Sequence, residues 1–391
     1  MKKLTDEIQQ HLEQKILPFW MKLKDEQHGG FYGEVDYNLE IEKQADKGGI
    51  ATARFLWTFS AAFRVTRNEE YLEHAHHLYD FLRNKLYDHE NQGIYWLVDF
   101  QGQPKDTRKH VYAQSFAVYA LSEYYRVTKS EEALALANEI YLLIEEKGYD
   151  KENRAYCEEF DQWWKPVSNE MLSENGVVAE ITMNTHIHVL EAYTNLYKAN
   201  PTDGLKQRLI DLLEVHYEKI YNKDTKFLGV FFDKQWNSLV DMKSFGHDIE
   251  ASWLMDETIK VIGLKDERFD QMVLDIAYNI AGCAMQEDGS LINEQVDDHY
   301  DKTRIWWVQA EAMVGYLNAF EHTQDPRFKQ LIENLWIYIK KHIVDKRENG
   351  EWYWSIEPAG NPTERAIGET WKTSYHNSRF CLEFIERVKN Q

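Results

Sequence analysis

The segment Gly93-Ile94-Tyr95-Trp96-Leu97-Val98, in which a glycine introduces aromatic and apolar residues, has counterparts along the whole 391-residue chain. Such a segment is typical of a short strand or hairpin that follows the end of a helix. Recurrence at a nearly constant interval indicates a repeat architecture, and the sequence predicts six repeats. One marker residue from each segment gives Phe31, Ile94, Ala155, Leu228, Leu291 and Trp352, at intervals of 63, 61, 73, 63 and 61 residues.

Two helix-like stretches separate successive markers. In the stretch 111–128, Phe116, Ala120 and Tyr124 recur every four residues, which is the spacing of one helix face. Several stretches of the second set begin with acidic or capping residues and end with Lys or Arg, as helix ends favour. The pattern predicts twelve helices in six pairs. The first set is 50–66, 111–128, 181–199, 247–262, 305–323 and 373–388, and the second is 4–19, 69–86, 130–147, 205–221, 266–284 and 326–343.

Six helical pairs can stack as an open solenoid or close into a ring. A solenoid needs polar caps on its terminal repeats, whereas the last repeat, around Trp352, is as aromatic as the others. We therefore predict an all-α fold, an (α/α)6 barrel of six helical hairpins with short β-hairpins in the connecting loops. No linker or low-complexity stretch interrupts the chain, so residues 1–391 are predicted to form a single domain.

The charge balance excludes several classes of partner. With 45 Lys and Arg against 66 Asp and Glu, the net charge is −21, which disfavours nucleic acid and anionic membrane surfaces. No apolar run approaches the roughly 20 residues of a membrane span, and residues 1–7 lack the apolar core of a signal peptide. Cys157, Cys283 and Cys381 form neither a disulfide framework nor a CxxC site. We expect a soluble cytoplasmic protein, a monomer or weak homodimer.

Aromatic residues are abundant, with 13 Trp and 23 Tyr in the chain. A flat ring packs well in a helical core, and it also matches the apolar C–H face of a pyranose. Core packing is expected to account for most of these rings. The pairs Trp163-Trp164 and Trp306-Trp307 are the ones to test for sugar binding.

Polar and reactive residues collect at the starts of the first-set helices. A closed barrel would bring these starts together around one mouth, so six clusters at matching positions predict a functional site. A lone histidine is usually structural, but three histidines at three helix starts weaken that interpretation for His188, His247 and His376. The clusters are Arg54 and residues 109–114, 184–188, 246–250, 304–311 and 371–379.

Spacing within the clusters suggests partners. Asn184 and His188 are four residues apart and share a helix face. His247 and Glu250 are three apart, so Glu250 is predicted to hold one imidazole nitrogen of His247 and fix its tautomer. For Arg54 the simpler alternative is an ion pair with a carboxylate on the rim.

Metal and nucleotide sites have no sequence support. His186 and His188 point to different faces of a helix, HExxH is absent, and no cysteine lies near a histidine cluster. The sequence also lacks GxGxxG after a strand, a Walker loop and GxSxG. We therefore predict that the protein uses neither a cofactor nor a metal.

Four motifs together resemble the N-acylglucosamine 2-epimerase family, and within it the cellobiose 2-epimerases. They are residues 183–193, 246–250, 306–311 and 371–376. The resemblance covers residues 19–384, and it implies an (α/α)6 barrel, as the repeats do independently. No residue is carried over in the loop 161–174, where the alignment is ambiguous.

The resemblance implies reversible epimerisation at C2 of the reducing-end glucose of a β-1,4-linked disaccharide, without a cofactor. Cellobiose would become glucosyl-mannose, and mannobiose would become mannosyl-glucose. The C2 proton is acidic only after ring opening, and its transfer in both directions suits groups that titrate near neutral pH, such as histidine. The implied acid/base pair is His247 and His376, and His188 would assist ring opening. The implied substrate-binding residues are Arg54, Tyr112, Asn184, Glu250, Trp306, Trp307 and Trp371.

Three alternatives remain open at this stage. An aldose–ketose isomerase, or a monosaccharide or N-acylglucosamine 2-epimerase of the same family, would use the same histidines. A glycoside hydrolase needs two carboxylates across one bond, for which Glu250 and Glu311 are available, but it leaves three histidines unexplained. A non-catalytic sugar-binding protein would need the tryptophans alone.

Overall fold

The computed structural model describes residues 1–172 and 177–389, and within these ranges α-helices are joined by short strands. The helices are α1 Lys2–His11, α2 Leu17–Met21, α3 Gly49–Thr66, α4 Glu69–Phe81, α5 Val111–Thr128, α6 Glu131–Leu143, α7 Met183–Ala199, α8 Asp203–Val215, α9 Phe245–Ile262, α10 Glu267–Cys283, α11 Trp306–Thr323, α12 Pro326–Tyr338 and α13 Tyr375–Lys389. The strands are β1 Glu34–Val35, β2 Ile41–Glu42, β3 Lys47–Gly48, β4 Leu97–Val98, β5 Pro104–Asp106, β6 Lys109–His110, β7 Tyr149–Asp150, β8 Ala155–Tyr156, β9 Glu159–Phe160, β10 Ile181–Thr182, β11 Phe231–Phe232, β12 Met242–Ser244, β13 Glu294–Val296, β14 His299–Asp301, β15 Arg304–Ile305 and β16 Ser355–Ile356.

Six inner helices form a closed ring. Helices α3, α5, α7, α9, α11 and α13 contact one another in that order, and α13 returns to contact α3. An outer helix packs on each of them, namely α4, α6, α8, α10 and α12 on the first five and α1 on α13. The predicted (α/α)6 barrel is therefore confirmed. Its sixth helical pair comes from the two ends of the sequence, which joins the first repeat to the last.

Burial separates the inner helices from the outer ones. In α3 every residue from Gly49 to Phe63 is buried, because this helix packs against neighbours on all sides. Helix α4 instead buries Tyr71, His74, Ala75 and Leu78, a single stripe at three- and four-residue spacing. No helix in the described ranges is both long enough and apolar enough to cross a membrane.

Short strands fix the starting ends of the inner helices. The strand that precedes each of α3, α5, α7, α9 and α11 pairs with a strand from the next long connection: β3 with β4, β6 with β9, β10 with β11, β12 with β13 and β15 with β16. These ladders hold the helix starts, which carry the polar clusters, at one end of the barrel.

All six marker segments form antiparallel bridges, as the repeat predicts. Phe31, for example, pairs with Lys24, and Ile94 pairs with Tyr87. The fourth residue of an inner helix often holds such a segment: Gln114 bonds both the N–H and the carbonyl of Ile94. The other pairs are Asp150 with Ala155, Tyr221 with Leu228, Met285 with Leu291 and Val344 with Trp352.

His186 occupies the same fourth position in α7. Its Nε2 accepts the backbone N–H of Tyr156 at 3.1 Å, and its Nδ1 donates to the carbonyl of Thr182 at 2.8 Å. Both ring nitrogens are thus used by the backbone, so this histidine is structural and is not a partner for His188 in a metal site.

Candidate active site

A cavity of about 370 Å3 lies at the starting ends of the inner helices. Each inner helix, or the residues just before it, contributes to its wall, because the six-fold repeat places equivalent positions around one axis. The lining includes all ten site residues named from the sequence: Arg54, Tyr112, Asn184, His188, His247, Glu250, Trp306, Trp307, Trp371 and His376.

His188 and His376 each have one ring nitrogen fixed by a carboxylate. His188 Nδ1 lies 2.8 Å from Glu191 Oε2, and His376 Nδ1 lies 2.7 Å from Glu311 Oε1. A carboxylate accepts the Nδ1–H, so Nε2 is the nitrogen that carries no hydrogen whenever such an imidazole is neutral. Burial and the positive charges of Arg379 and nearby groups hold the pKa of His376 well below its usual value. His376 is therefore a neutral base at neutral pH.

His247 is oriented by a hydroxyl. Its Nδ1 lies 2.8 Å from Ser244 Oγ, on the residue preceding α9. The prediction that Glu250 holds this ring is wrong, because the Glu250 carboxylate instead accepts from the guanidinium of Arg379. Three-residue spacing allowed the contact, but a buried cation is the stronger partner for a buried carboxylate. Burial lowers the pKa of His247 to about 3, so this ring is also neutral at neutral pH.

The indole of Trp307 packs against both of these histidines. Its ring centroid lies 4.7 Å from that of His247 and 5.5 Å from that of His376. The three rings come from α9, α11 and α13, which are neighbours in the ring of inner helices. The two neutral imidazoles therefore border the same part of the cavity, with an aromatic surface between them.

Arg379 links the carboxylates beneath the cavity. This fully buried side chain on α13 contacts carboxylate oxygens of Glu191, Glu250 and Glu311. Glu191 also holds His188, and Glu311 also holds His376. One cation thus fixes the carboxylates that orient two histidines. The sequence placed Arg379 at the end of the sixth cluster but gave it no role.

Three of these buried side chains lie close enough together to be compared with a metal site. Ligand atoms of Glu250, Glu311 and His376 lie within 4.8 Å of one another, close enough to share an ion. However, Arg379 already donates to both carboxylates, so a cation would have to displace its guanidinium. Burial and the neighbouring Glu311 also raise the pKa of Glu250 to about 7, which weakens it as a ligand at neutral pH. The residues present do not fit a resident metal.

Arg54 contributes a buried positive charge. Its side chain is 3% exposed, and it donates to the carbonyl of Trp371 at 3.0 Å and to the hydroxyl of Tyr112 at 2.9 Å. Within residues 1–172 and 177–389 its guanidinium forms no ion pair with a carboxylate and instead bonds Trp371 and Tyr112, so the described part of the chain does not support the alternative of a rim ion pair. Its charge is available to an anion in the cavity.

The remaining predicted residues form the walls. Asn184 precedes His188 by one helical turn, and Trp371 lies beside Tyr112 with ring centroids 6.1 Å apart. Trp306 packs on Trp354 at 4.6 Å.

Several lining residues were missed by the sequence analysis. Trp354 was not named as a site residue, although the Arg365 guanidinium lies over its ring, 3.5 Å from the ring centroid. Most of the missed residues lie in the long connections, where helical spacing does not indicate which side chains face the cavity. For Trp354 the only signal in the sequence was its place in an aromatic marker segment. The missed residues are Met171, Leu172, Ser244, Asn293, Glu294, Ile305, Trp354 and Arg365.

Comparison with known proteins places this chain in a family. The family model described as N-acylglucosamine 2-epimerase (GlcNAc 2-epimerase) matches residues 30–379. The chain is 46% identical over 388 residues to a cellobiose 2-epimerase of Ruminococcus albus, covering 98% of this chain and 99% of that protein. It is 44% identical over 391 residues to a cellobiose 2-epimerase of Dictyoglomus turgidum, covering 99% and 100%. The solved structure of cellobiose 2-epimerase from Bacillus thermoamylovorans B4167 superposes with a TM-score of 0.98 at 56% identity, covering 99% of this chain and 100% of that one. The chain belongs to the N-acylglucosamine 2-epimerase family.

Proposed function

We propose that this protein is a carbohydrate epimerase that inverts C2 of the reducing-end sugar of β-1,4-linked disaccharides. Cellobiose would become glucosyl-mannose, and mannobiose would become mannosyl-glucose. The observation that carries the proposal is the pair of neutral imidazoles, His247 and His376, beside one aromatic surface in the cavity. The high identity to relatives named cellobiose 2-epimerase supports the substrate class.

The reaction begins with ring opening. A proton leaves O1 and another reaches O5, which gives the open-chain aldehyde. His188, held by Glu191 at 2.8 Å, is the group proposed to assist this step. Only in the open form is the C2 proton acidic enough for an imidazole to remove.

Proton transfer at C2 then inverts the centre. A neutral imidazole removes the C2 proton and leaves a planar enediolate, whose oxygen gains negative charge. Arg54, with its free positive charge on the cavity wall, stabilises that oxygen. In the one-histidine route the imidazolium formed by this abstraction returns its proton to the opposite face. In the two-histidine route the second imidazole takes a proton from solvent and delivers it to the opposite face, and the first imidazolium releases its proton to solvent, so the net proton count is unchanged. His247 and His376 share these steps, or one of them performs both after rotation about C2–C3.

The carboxylate arrangement does not favour a glycoside hydrolase. Such enzymes place two carboxyl groups about 5–9.5 Å apart on either side of the scissile bond. Here Glu250 lines the cavity but Glu311 does not, and both carboxylates contact the guanidinium of Arg379. Their common function in this site is to fix that cation and His376.

Product analysis tests the proposed reaction. We expect purified protein to convert cellobiose to glucosyl-mannose and mannobiose to mannosyl-glucose, as seen by carbon NMR of the reducing-end signals. Free mannose and N-acetylglucosamine serve as the comparison substrates. A fructose-type product as the main product would instead assign the aldose–ketose isomerase reaction.

Removal of metal ions should leave the activity intact. Because Arg379 supplies the cation at the Glu250–Glu311 cluster, we expect equal rates before and after treatment with EDTA and extensive dialysis. Loss of activity that a divalent ion restores would contradict the assignment of a cofactor-free site.

Trp371→Ala should affect disaccharides more than monosaccharides. Trp371 lies just before α13 on the cavity wall, and its backbone carbonyl, which the substitution keeps, holds Arg54 at 3.0 Å. Loss of an aromatic face costs about 1 kcal/mol, and binding common to ground and transition states appears mainly in KM. We expect a several-fold higher KM for cellobiose with a smaller change in kcat. Equal losses on mannose would show that Trp371 shapes the pocket for the reacting ring.

Other features remain predictions. They include the organisation of residues 1–391 as one catalytic domain, the monomeric or weakly dimeric state and the cytoplasmic location.

A further inference from the structure

In five connecting loops the same tight turn directly follows a strand. In each turn the N–H of the first residue donates to the carbonyl of the fifth, and the N–H of the fourth donates to the carbonyl of the first. Each turn directly follows one of the strands β1, β4, β9, β11 and β16. Four of these strands pair with the strand before an inner helix, at the cavity end of the barrel. The first residues of the turns are Asp36, Asp99, Asp161, Asp233 and Glu357.

One turn differs from the others at its third position. That position is Asn38, Gln101, Gln235 or Ala359 in four turns, but it is Trp163 in the fifth. A small or polar residue is therefore sufficient for the turn. The next residue, Trp164, is buried and donates its indole N–H to a backbone carbonyl, whereas the side chain of Trp163 is 68% exposed. Neither the turn nor the core explains the exposed indole.

Trp163 lies along a groove with polar walls. The groove has a volume of about 500 Å3. Its one arginine, Arg108, forms ion pairs with Asp106 at 2.8 Å and Glu159 at 2.7 Å. The other carboxylates, on Asp161 and Glu170, therefore leave the groove with a net negative charge. An apolar ring framed by hydroxyl, amide and carboxyl groups suits a neutral pyranose, and the acidic charge disfavours polyanions. Thr107 and Ser168 supply the hydroxyl groups, Gln162 the amide, and Asp161 and Glu170 the carboxyl groups.

The groove adjoins the catalytic cavity. Ser168 and Glu170 line the groove, whereas Met171 and Leu172, the next residues, line the cavity. The carboxylate of Glu159 holds this segment by accepting the backbone N–H groups of Glu170 at 3.0 Å and Met171 at 3.4 Å. One short segment of chain thus forms a wall of both spaces.

We propose that the Trp163 groove binds a distal sugar unit of a β-1,4-linked oligosaccharide longer than a disaccharide. The reducing end of that oligosaccharide occupies the cavity, and the chain passes over the segment 168–172, so that a farther ring stacks on Trp163. The ligand class rests on the proposed function, but the site itself lies outside the cavity that performs the reaction.

Trp163→Gln tests the proposal, because glutamine stands at this position in two of the equivalent turns and should preserve the fold. We expect kcat/KM for cellotetraose to fall roughly two- to tenfold, the range that one aromatic contact supplies, while cellobiose kinetics stay unchanged. Gln235→Ala, at the equivalent position of another turn, is the matched control and should change neither substrate. Unchanged cellotetraose kinetics, or equal losses on both substrates, would overturn the proposal.

A binding measurement separates this proposal from the proposed reaction. Cellotetraose reduced at its terminal sugar cannot open a ring, so its binding reports no chemistry. We expect this ligand to bind the wild-type protein more tightly than it binds Trp163→Gln, as measured by quenching of tryptophan fluorescence. If the wild type turned over no disaccharide, the proposed function would fail, yet this difference in affinity would still support the groove. Equal affinities would overturn the proposal, and the exposed Trp163 would then be assigned to contact with another protein.

Discussion

His376→Asn and His247→Asn are each expected to lower kcat for cellobiose epimerisation roughly 10²- to 10⁴-fold, the contribution of a general acid or base. Asparagine keeps a polar group near Glu311 or Ser244, the present partners of the two rings, but it cannot carry the proton. Because the substitutions leave the helices and the Arg379 contacts in place, thermal unfolding should change little. Steady-state rates and circular dichroism check both statements.

His89→Asn is the matched control, since His89 is exposed and does not line the cavity. It should retain wild-type turnover. Wild-type turnover in either cavity variant would remove that histidine from the mechanism, and it would then favour the single-histidine route through rotation about C2–C3.

Arg379→Met is expected to lower the free energy of unfolding by about 3–5 kcal/mol at pH 8, because it leaves buried carboxylates without their cation. Activity should also fall, since Glu191 and Glu311 would no longer be fixed behind His188 and His376. Urea unfolding and steady-state kinetics measure the two effects.

The stability loss should depend on pH. The pKa of Glu250 is already raised to about 7, above its ordinary value of 4.5. A carboxyl group with a raised folded-state pKa contributes stability that is present below its unfolded pKa and is lost as the pH rises through the folded value. Without Arg379 this pKa rises further, so the deficit should be smaller at pH 5 than at pH 8.

Arg387→Met provides the comparison for Arg379. Arg387 lies two turns later on α13 and pairs with Glu257, Glu321 and Glu383, away from the cavity. It should reduce stability while keeping the Michaelis constant for cellobiose. A variant at Arg379 with wild-type stability at pH 8 would contradict its assigned electrostatic role.

The repeat made most of the fold predictable. Aromatic marker segments recur because several of them bond to the fourth residue of an inner helix, as Ile94 bonds to Gln114. Helical spacing identified both sets of helices. The predicted closure of twelve helices into six pairs leaves α1 to pack against α13, because the other ten form five pairs of sequence neighbours. No local pattern in the sequence shows this contact itself, because the two helices lie at opposite ends of the chain.

The sequence predicted which residues line the site better than it predicted their hydrogen-bond partners. Repeat phase predicted that the six polar clusters meet at one mouth, since equivalent positions in a ring face one axis. The family resemblance selected the ten residues within those clusters, and all ten line one cavity. Partner choice was not predictable: Glu250 shares a face with His247, yet it bonds to Arg379 from a distant part of the sequence. Ser244 was missed for a related reason, because the hydroxyl before α9 carries no periodic signal.

Solvent exchange at C2 tests the central claim most directly. Cellobiose incubated with the protein in D2O should yield glucosyl-mannose with deuterium at C2 of the reducing-end ring. The recovered cellobiose should acquire deuterium at the same carbon and at no other, as followed by proton NMR over many turnovers. Product that keeps its original hydrogen at C2 after many turnovers would contradict proton abstraction by the cavity histidines.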